Sequence, residues 1–277
     1  MKVYISVDME GVSSIVSFDE VSADKWSYEQ ARALMTEEVN AAIDGALEAG
    51  AKEILVSDSH SVMRNLIPEK LRSEAKLIRG WPRPLSQMQG IDESFDAVFF
   101  IGYHPMSGTH RGLLDHTLDS RIVSEVRING TPVGEVGINA MIAGHFNVPV
   151  VLVTGGRAVV EEAKMLLGEV EGIIVKDDVG QHAAICLHPF EARKRIKEAA
   201  SNALRHLARF KPFTPKRPVE LEVDFVSSGM AEMAELLPNS ERVKPRTVRY
   251  TSSNYLEVYK ALRAMISLAR EIIFERV

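Results

Sequence analysis

Three stretches of the chain are apolar without alternation: VYISV at 3–7, AVFFI at 97–101 and VPVVLVT at 148–154. A strand with one wet face would be polar at every second position. Unbroken runs of this length are buried on both faces, as in a parallel sheet covered by helices on either side. Parallel neighbours need long crossovers, usually helical, and helical patterns lie between the runs. Residues 28–49 carry Ala31, Leu34, Met35, Val39, Ala42, Ile43, Ala46 and Leu47 at helical spacing, and Gly50 follows as a stop. The first run extends to a strand over 2–8. Further strands are expected at 53–57, 76–79 and 173–175, and helices at 135–145, 159–167 and 189–210. Residues 120–128 read as an edge strand or hairpin arm turning at Asn129 and Gly130.

The expected architecture is therefore α/β: a largely parallel sheet covered by helices on both faces, with a smaller C-terminal αβ subdomain. The boundary falls at KPFTPKRP, 211–218, with three prolines in eight residues. It divides the chain into 1–210 and 211–277. The second part holds strands at 219–225 and 246–250 and helices at 229–237 and 255–275. A net charge of −5 without a basic cluster excludes a nucleic-acid partner. No apolar run approaches the ~20 residues of a membrane helix, so no membrane association is expected. The lone cysteine, Cys186, can form neither an intrachain disulfide nor a cysteine-rich zinc site. It is expected to be a small buried residue. With no targeting pattern, the lone cysteine places the protein in the cytoplasm.

Chemistry gathers at the strand ends. The first strand runs into VDME, with Asp8 and Glu10; the second into VSDSH, with Asp58 and His60; the third into FFIGYH, with His104. Ligands of open α/β sheets bind outside the carboxyl ends of the strands. If these strands are neighbours, Asp8, Glu10, His60 and His104 share one crevice. By strand alternation Asp8 and Glu10 point to one side, where two like charges need a cation between them. Two carboxylates with two imidazoles make an oxygen and nitrogen ligand set for a metal. Glu135, where a loop enters a helix, could be a fifth ligand; equally, a glutamate in a first helical turn is favoured by the helix dipole. Five ligands suit two metals if one carboxylate, Asp8, bridges them. His116, in the polar segment LLDHTLDS, reads as a site residue or a surface histidine. His110, His145, His182, His188 and His206 have weaker contexts. VTGGRAVV at 153–160 reads as a tight strand-to-helix turn, with anion binding as the lesser option.

The motifs SVDMEG at 6–11, SDSH at 57–60, GYH at 102–104, DHT around His116 and PVGEVGINA at 132–140 resemble the zinc-dependent D-aminopeptidases of the DppA type. The resemblance runs over most of the chain, with the motifs in the family's order; loops 15–27 and 104–111 depart from its pattern. It implies metal ligands at Asp8, Glu10, His60, His104 and Glu135, two Zn²⁺ per chain, and a catalytic histidine at His116. It also implies a homo-oligomer, a decamer enclosing its active sites, that removes N-terminal D-residues of the D-Ala kind from short peptides. The chemistry expected is metal-assisted amide hydrolysis, with His116 as proton donor or nucleophile. The alternatives are a metal-dependent phosphatase or other binuclear metallohydrolase using Asp8, or a non-catalytic subunit binding a metal or small ligand. Against the phosphatase, the second acid is Glu10, no phosphate loop follows, and histidine ligands favour zinc over magnesium.

Overall fold

The unbroken apolar runs become the centre of a sheet. The computed structural model describes residues 1–274. In chain order its elements are β1 (Lys2–Val7), α1 (Tyr28–Glu48), β2 (Glu53–Asp58), β3 (Ala75–Ile78), β4 (Ala97–Tyr103), β5 (Val123–Ile128), β6 (Thr131–Pro132), α2 (Glu135–His145), β7 (Val150–Gly156), α3 (Arg157–Leu167), β8 (Glu171–Gly180), β9 (Ala183–Cys186), α4 (Pro189–Arg205), β10 (Val219–Phe225), α5 (Ser228–Ala234), β11 (Ser240–Lys244), β12 (Thr247–Ser252), α6 (Tyr255–Ala269) and α7 (Glu271–Phe274). One sheet has the order β3-β2-β1-β4-β7-β8-β9. It is parallel except for β9, which pairs antiparallel with β8.

Successive residues of the central strands enter two different cores, which is why those strands are mostly apolar; the buried Ser6 of β1 is hydrogen-bonded to Ser59 and Tyr103. Val3, Ile5, Val7, Phe99 and Ile101 pack with α1 and α4 on one face. Tyr4, Val98 and Phe100 pack with α2, α6 and a second sheet on the other. Each such buried apolar side chain contributes about 1.5–3 kcal/mol relative to exposure, so a polar residue without a hydrogen-bond partner on either face of β1 or β4 would be costly.

The second sheet, β11-β12-β10-β5-β6, is antiparallel throughout. β5 is a hairpin arm, with β6 as its partner, but it is not an edge: its other side pairs with β10, Leu221 facing Ile128 and Val223 facing Val126. Strands from both sides of the 211–218 stretch thus share one sheet, which α5 and α6 cover. Two short strands, β9 and β11, were not expected: the apolar run of β9 is only four residues long, and β11 has none. Cys186 lies on the edge strand β9 and is half-buried rather than buried, since one flank of an edge strand is open. The long basic helix stops at Arg205, followed by a tighter turn over Leu207–Arg209. The last helix stops at Ala269 before α7, and Glu275, its expected end, lies outside the described residues.

Candidate metal centre

β1 lies between β2 and β4, with Val7 level with both Asp58 and Ile101. The strands that carry the candidate residues are therefore neighbours, and their ends converge. Asp8 and Glu10 meet for a different reason than alternation. β1 stops at Val7, and both acids stand in the turn that follows. Asp8 N donates to Ile101 O and Gly11 N to Gly102 O, each at 2.8 Å, so the turn is laid across the end of β4. Two glycines permit this approach. A Cβ on Gly11 would stand 1.9 Å from Tyr103 O. Gly102 has φ of +69°, where side chains are strained, and a Cβ there would stand 2.4 Å from Asp8 O. The glycines of the MEG and GYH motifs thus allow two backbones to touch beneath the acids.

The cluster is buried and divides around Asp8. On one side, Nδ1 of His60 lies 3.2 Å from Asp8 Oδ1 and 3.0 Å from Glu10 Oε2. On the other, Nε2 of His104 lies 3.5 Å from Asp8 Oδ2 and 3.3 Å from Glu135 Oε1. The two oxygens of one carboxylate face two different imidazoles. His116 Nε2 stands 4.0 Å from both Glu10 Oε1 and Glu135 Oε1. Its ring stacks on that of His104, centroids 3.9 Å apart and 9° from parallel.

Each imidazole has one nitrogen tied to a backbone carbonyl. His60 Nε2–H donates to Val21 O at 2.9 Å, His104 Nδ1–H to Pro105 O at 3.0 Å, and His116 Nδ1–H to Leu114 O at 2.9 Å. This fixes the ring orientations so that the other nitrogen faces the acids, the orientation of metal-ligating histidines. His104 Nε2 is buried without a hydrogen-bond partner. A buried imidazole nitrogen set among carboxylates is a place for positive charge, and the donor set of carboxylate oxygens and imidazole nitrogens fits zinc.

The charges point the same way. Burial and the neighbouring Glu10 push the Asp8 carboxyl up to about 7. Burial also opposes ionisation of Glu135, yet His104 holds it down at about 2. Against burial, Glu135 and Asp8 raise His104 to about 10, and Glu10 and Asp8 raise His60 well above the usual imidazole value. The site pulls positive charge into the interior. Burial and the adjacent His104 hold His116 below its ordinary value.

Several supporting residues carry no local signal in the sequence. Lys176, fully buried on β8, donates Nζ to Glu10 O at 2.6 Å, Val12 O at 2.8 Å and Ile15 O at 2.6 Å. It holds the turn that bears Glu10. Gln87 donates to Glu135 Oε2 and accepts from Asn139 Nδ2 at 2.6 Å, while Leu118 N donates to Glu135 Oε1 at 2.8 Å. Glu162 accepts from Met106 N at 2.8 Å and so ties the loop after His104 to α3. Asp58, beside His60 in the motif, does not face the cluster; it accepts from Asn65 N and Leu66 N and shapes the loop behind His60. The glycine turn before α3 is not an anion site, because Asp178 Oδ2 accepts from Ala158 N at 2.8 Å at that helix start. Of the weaker histidines, His188 caps α4 by accepting from Phe190 N, and His145 lies in the last turn of α2.

Asp8, Glu10, His60, His116 and Glu135 open into a cavity of about 630 Å³. Phe18, Val21 and Asp24 from loop 15–27 line it as well. A parallel sheet whose central strands deliver carboxylates and imidazoles into one cavity is the architecture of a metal-dependent α/β enzyme. Residues 1–264 match the family described as D-aminopeptidase, peptidase M55. Over 276 residues, 99% of this chain and 100% of the relative, the chain is 40% identical to a D-aminopeptidase of Bacillus subtilis (strain 168). It is also similar to a solved structure, the Zn-dependent D-aminopeptidase DppA from Bacillus subtilis, described as a self-compartmentalizing protease. That similarity has a TM-score of 0.94 at 39% identity, covering 97% of this chain and 98% of the other. The chain belongs to the D-aminopeptidase family, as the five sequence motifs implied.

Proposed function

We propose that this chain is a zinc-dependent aminopeptidase that removes D-residues, D-Ala among them, from the N-termini of short peptides. The observation that carries the reading is the buried cluster around Asp8, with an unpartnered His104 Nε2, in a chain of this family. Asp8, Glu10, His60, His104 and Glu135 would hold the metal. The two oxygens of Asp8, each facing a different imidazole, support a site that would hold two ions per chain. Zinc there supplies Lewis acidity, which polarises a scissile carbonyl and lets water act as a nucleophile near neutral pH.

The chain's own residues do the rest. His116 is neutral at pH 7, with Nε2 facing the cavity. It accepts a proton from the attacking water and returns it to the departing amine nitrogen. A second role for His116 has support: its ring nitrogen lies with His104 and Glu135 as ligand atoms all within 4.8 Å of one another, which would make it a ligand. The start of α3 offers no phosphate cradle to the phosphatase alternative, since Asp178 accepts from Ala158 N there.

The relative's self-compartmentalizing character supports a homo-oligomer here, and a decamer is our reading of its size. Trp26, 92% exposed, and Met165, 84% exposed, are side chains that neighbouring copies would cover. No helix among the described residues is long and apolar enough to cross a membrane. The free Cys186 is in keeping with a reducing, cytoplasmic location, which is our reading.

The test is elemental analysis of the purified protein with a stereoisomer panel of dialanine peptides, free and N-acetylated. About two zinc ions per chain, activity lost on chelation, and cleavage only of free peptides with a D-residue first are expected. Full activity after metal removal, or preference for L-L or acetylated peptides, refutes the reading.

A further inference from the structure

Arg263 differs from the other arginines lining the cavity. Arg121 and Arg270 both hold Asp119, at 2.9 and 3.1 Å. Arg263, half-buried on α6, donates Nη1 to Ser86 Oγ at 2.6 Å and has no carboxylate within ion-pair distance among the described residues. A guanidinium drawn into a cavity wall gives up hydration and is normally matched by an anion. Its link to the acid cluster is short: Ser86 precedes Gln87, and the Gln87 amide donates to Glu135. Arg263, Ser86, Gln87 and Glu135 line the same cavity. That cavity is therefore acidic at the candidate metal end and cationic along α6.

A free short peptide has the complementary polarity, with an amine at one end and a carboxylate at the other. Extended, two or three residues span ~7–10 Å. We propose that Arg263 binds the C-terminal carboxylate of the substrate. The planar fork of the guanidinium suits a carboxylate bidentately. The proposal rests on the aminopeptidase reading above.

The experiment compares kcat/KM for a D-Ala-initiated dipeptide and its C-terminal amide in the full-length protein and in Arg263→Gln and Arg263→Lys, with oligomer mass and zinc content measured for each. The wild-type protein is expected to favour the acid over the amide by about 10–100-fold, the range of one charge-assisted hydrogen-bonding contact. That ratio falls to near unity in Arg263→Gln. Arg263→Lys, which keeps the charge without the fork, is expected to lie between. A wild-type protein that cleaves acid and amide alike refutes the carboxylate site while leaving the aminopeptidase reading intact. Equal loss on both substrates in Arg263→Gln makes Arg263 a structural residue and also refutes it. Failure of the wild-type protein to cleave either compound overturns both readings.

Discussion

Lys176→Met tests whether a buried ammonium positions Glu10, a proposed metal ligand. The substitution keeps the side-chain length and removes three hydrogen bonds, to Glu10 O, Val12 O and Ile15 O. Hydrogen bonds to a charged group contribute about 1.5–3 kcal/mol each and do not add fully. Three carbonyls lose their donor in an interior closed to water. Glu38, which accepts from Ser13 N at 2.8 Å and is pushed up by burial, also loses Lys176 as an opposing charge. Removing one member of such a buried set costs about 3–5 kcal/mol, below the ~5–15 kcal/mol total of a typical domain. The variant should fold, with its melting temperature lower by roughly 6–20 °C at ~2–4 °C per kcal/mol. The functional consequence is separate: the 10–15 turn loosens, and metal affinity falls by about 10–100-fold, as when an outer partner of a ligand is removed. The assay is chelator competition on the folded variant beside thermal unfolding. The double variant with Glu38→Gln should be less than additive. A lower melting temperature with unchanged metal affinity would show that Lys176 supports the fold but not Glu10. No change in either would overturn the buried-ammonium account.

Two further outcomes bear on the cluster. His104→Ala should lose metal, and Asp8→Asn should lose more because that carboxylate faces both imidazoles; His116→Ala should keep its metal while kcat drops by about 10²–10⁴-fold. Metal content and turnover of the three variants decide this, and loss of metal in His116→Ala would make His116 a ligand. Gly102→Ala places a Cβ 2.4 Å from Asp8 O at a positive φ, so it should give protein of low zinc content and lowered melting temperature. Normal zinc content there would show that the Asp8 turn can shift without harm.

Local sequence determined whatever depends on a residue and its near neighbours. Unbroken apolar runs in 3–7 and 97–101 required two covered faces, and the helices at 28–49 and 135–145 followed from spacing and stop signals. Acids and histidines directly after apolar strands marked Asp8, Glu10, His60 and His104, because open sheets place ligands there whatever else the chain does. Glu135 and His116 stayed open on spacing alone, since a first-turn glutamate and a loop histidine have ordinary roles too; the family motifs singled them out. Tertiary structure decided what depends on distant partners. The order β2-β1-β4 made the three strand ends neighbours. A turn rather than alternation brought Asp8 to Glu10. The β5–β10 pairing joined strands from both sides of the proline-rich stretch, because antiparallel partners are chosen by register across the sheet and not by proximity in the chain. Lys176, 166 residues from Glu10, reads as any strand lysine until the fold closes over it. Arg263 likewise reads as one more polar position on a helix until α6 reaches the cavity. Compensation of buried charge is a property of the folded interior, where water is gone and each charged group must find its partner in the protein.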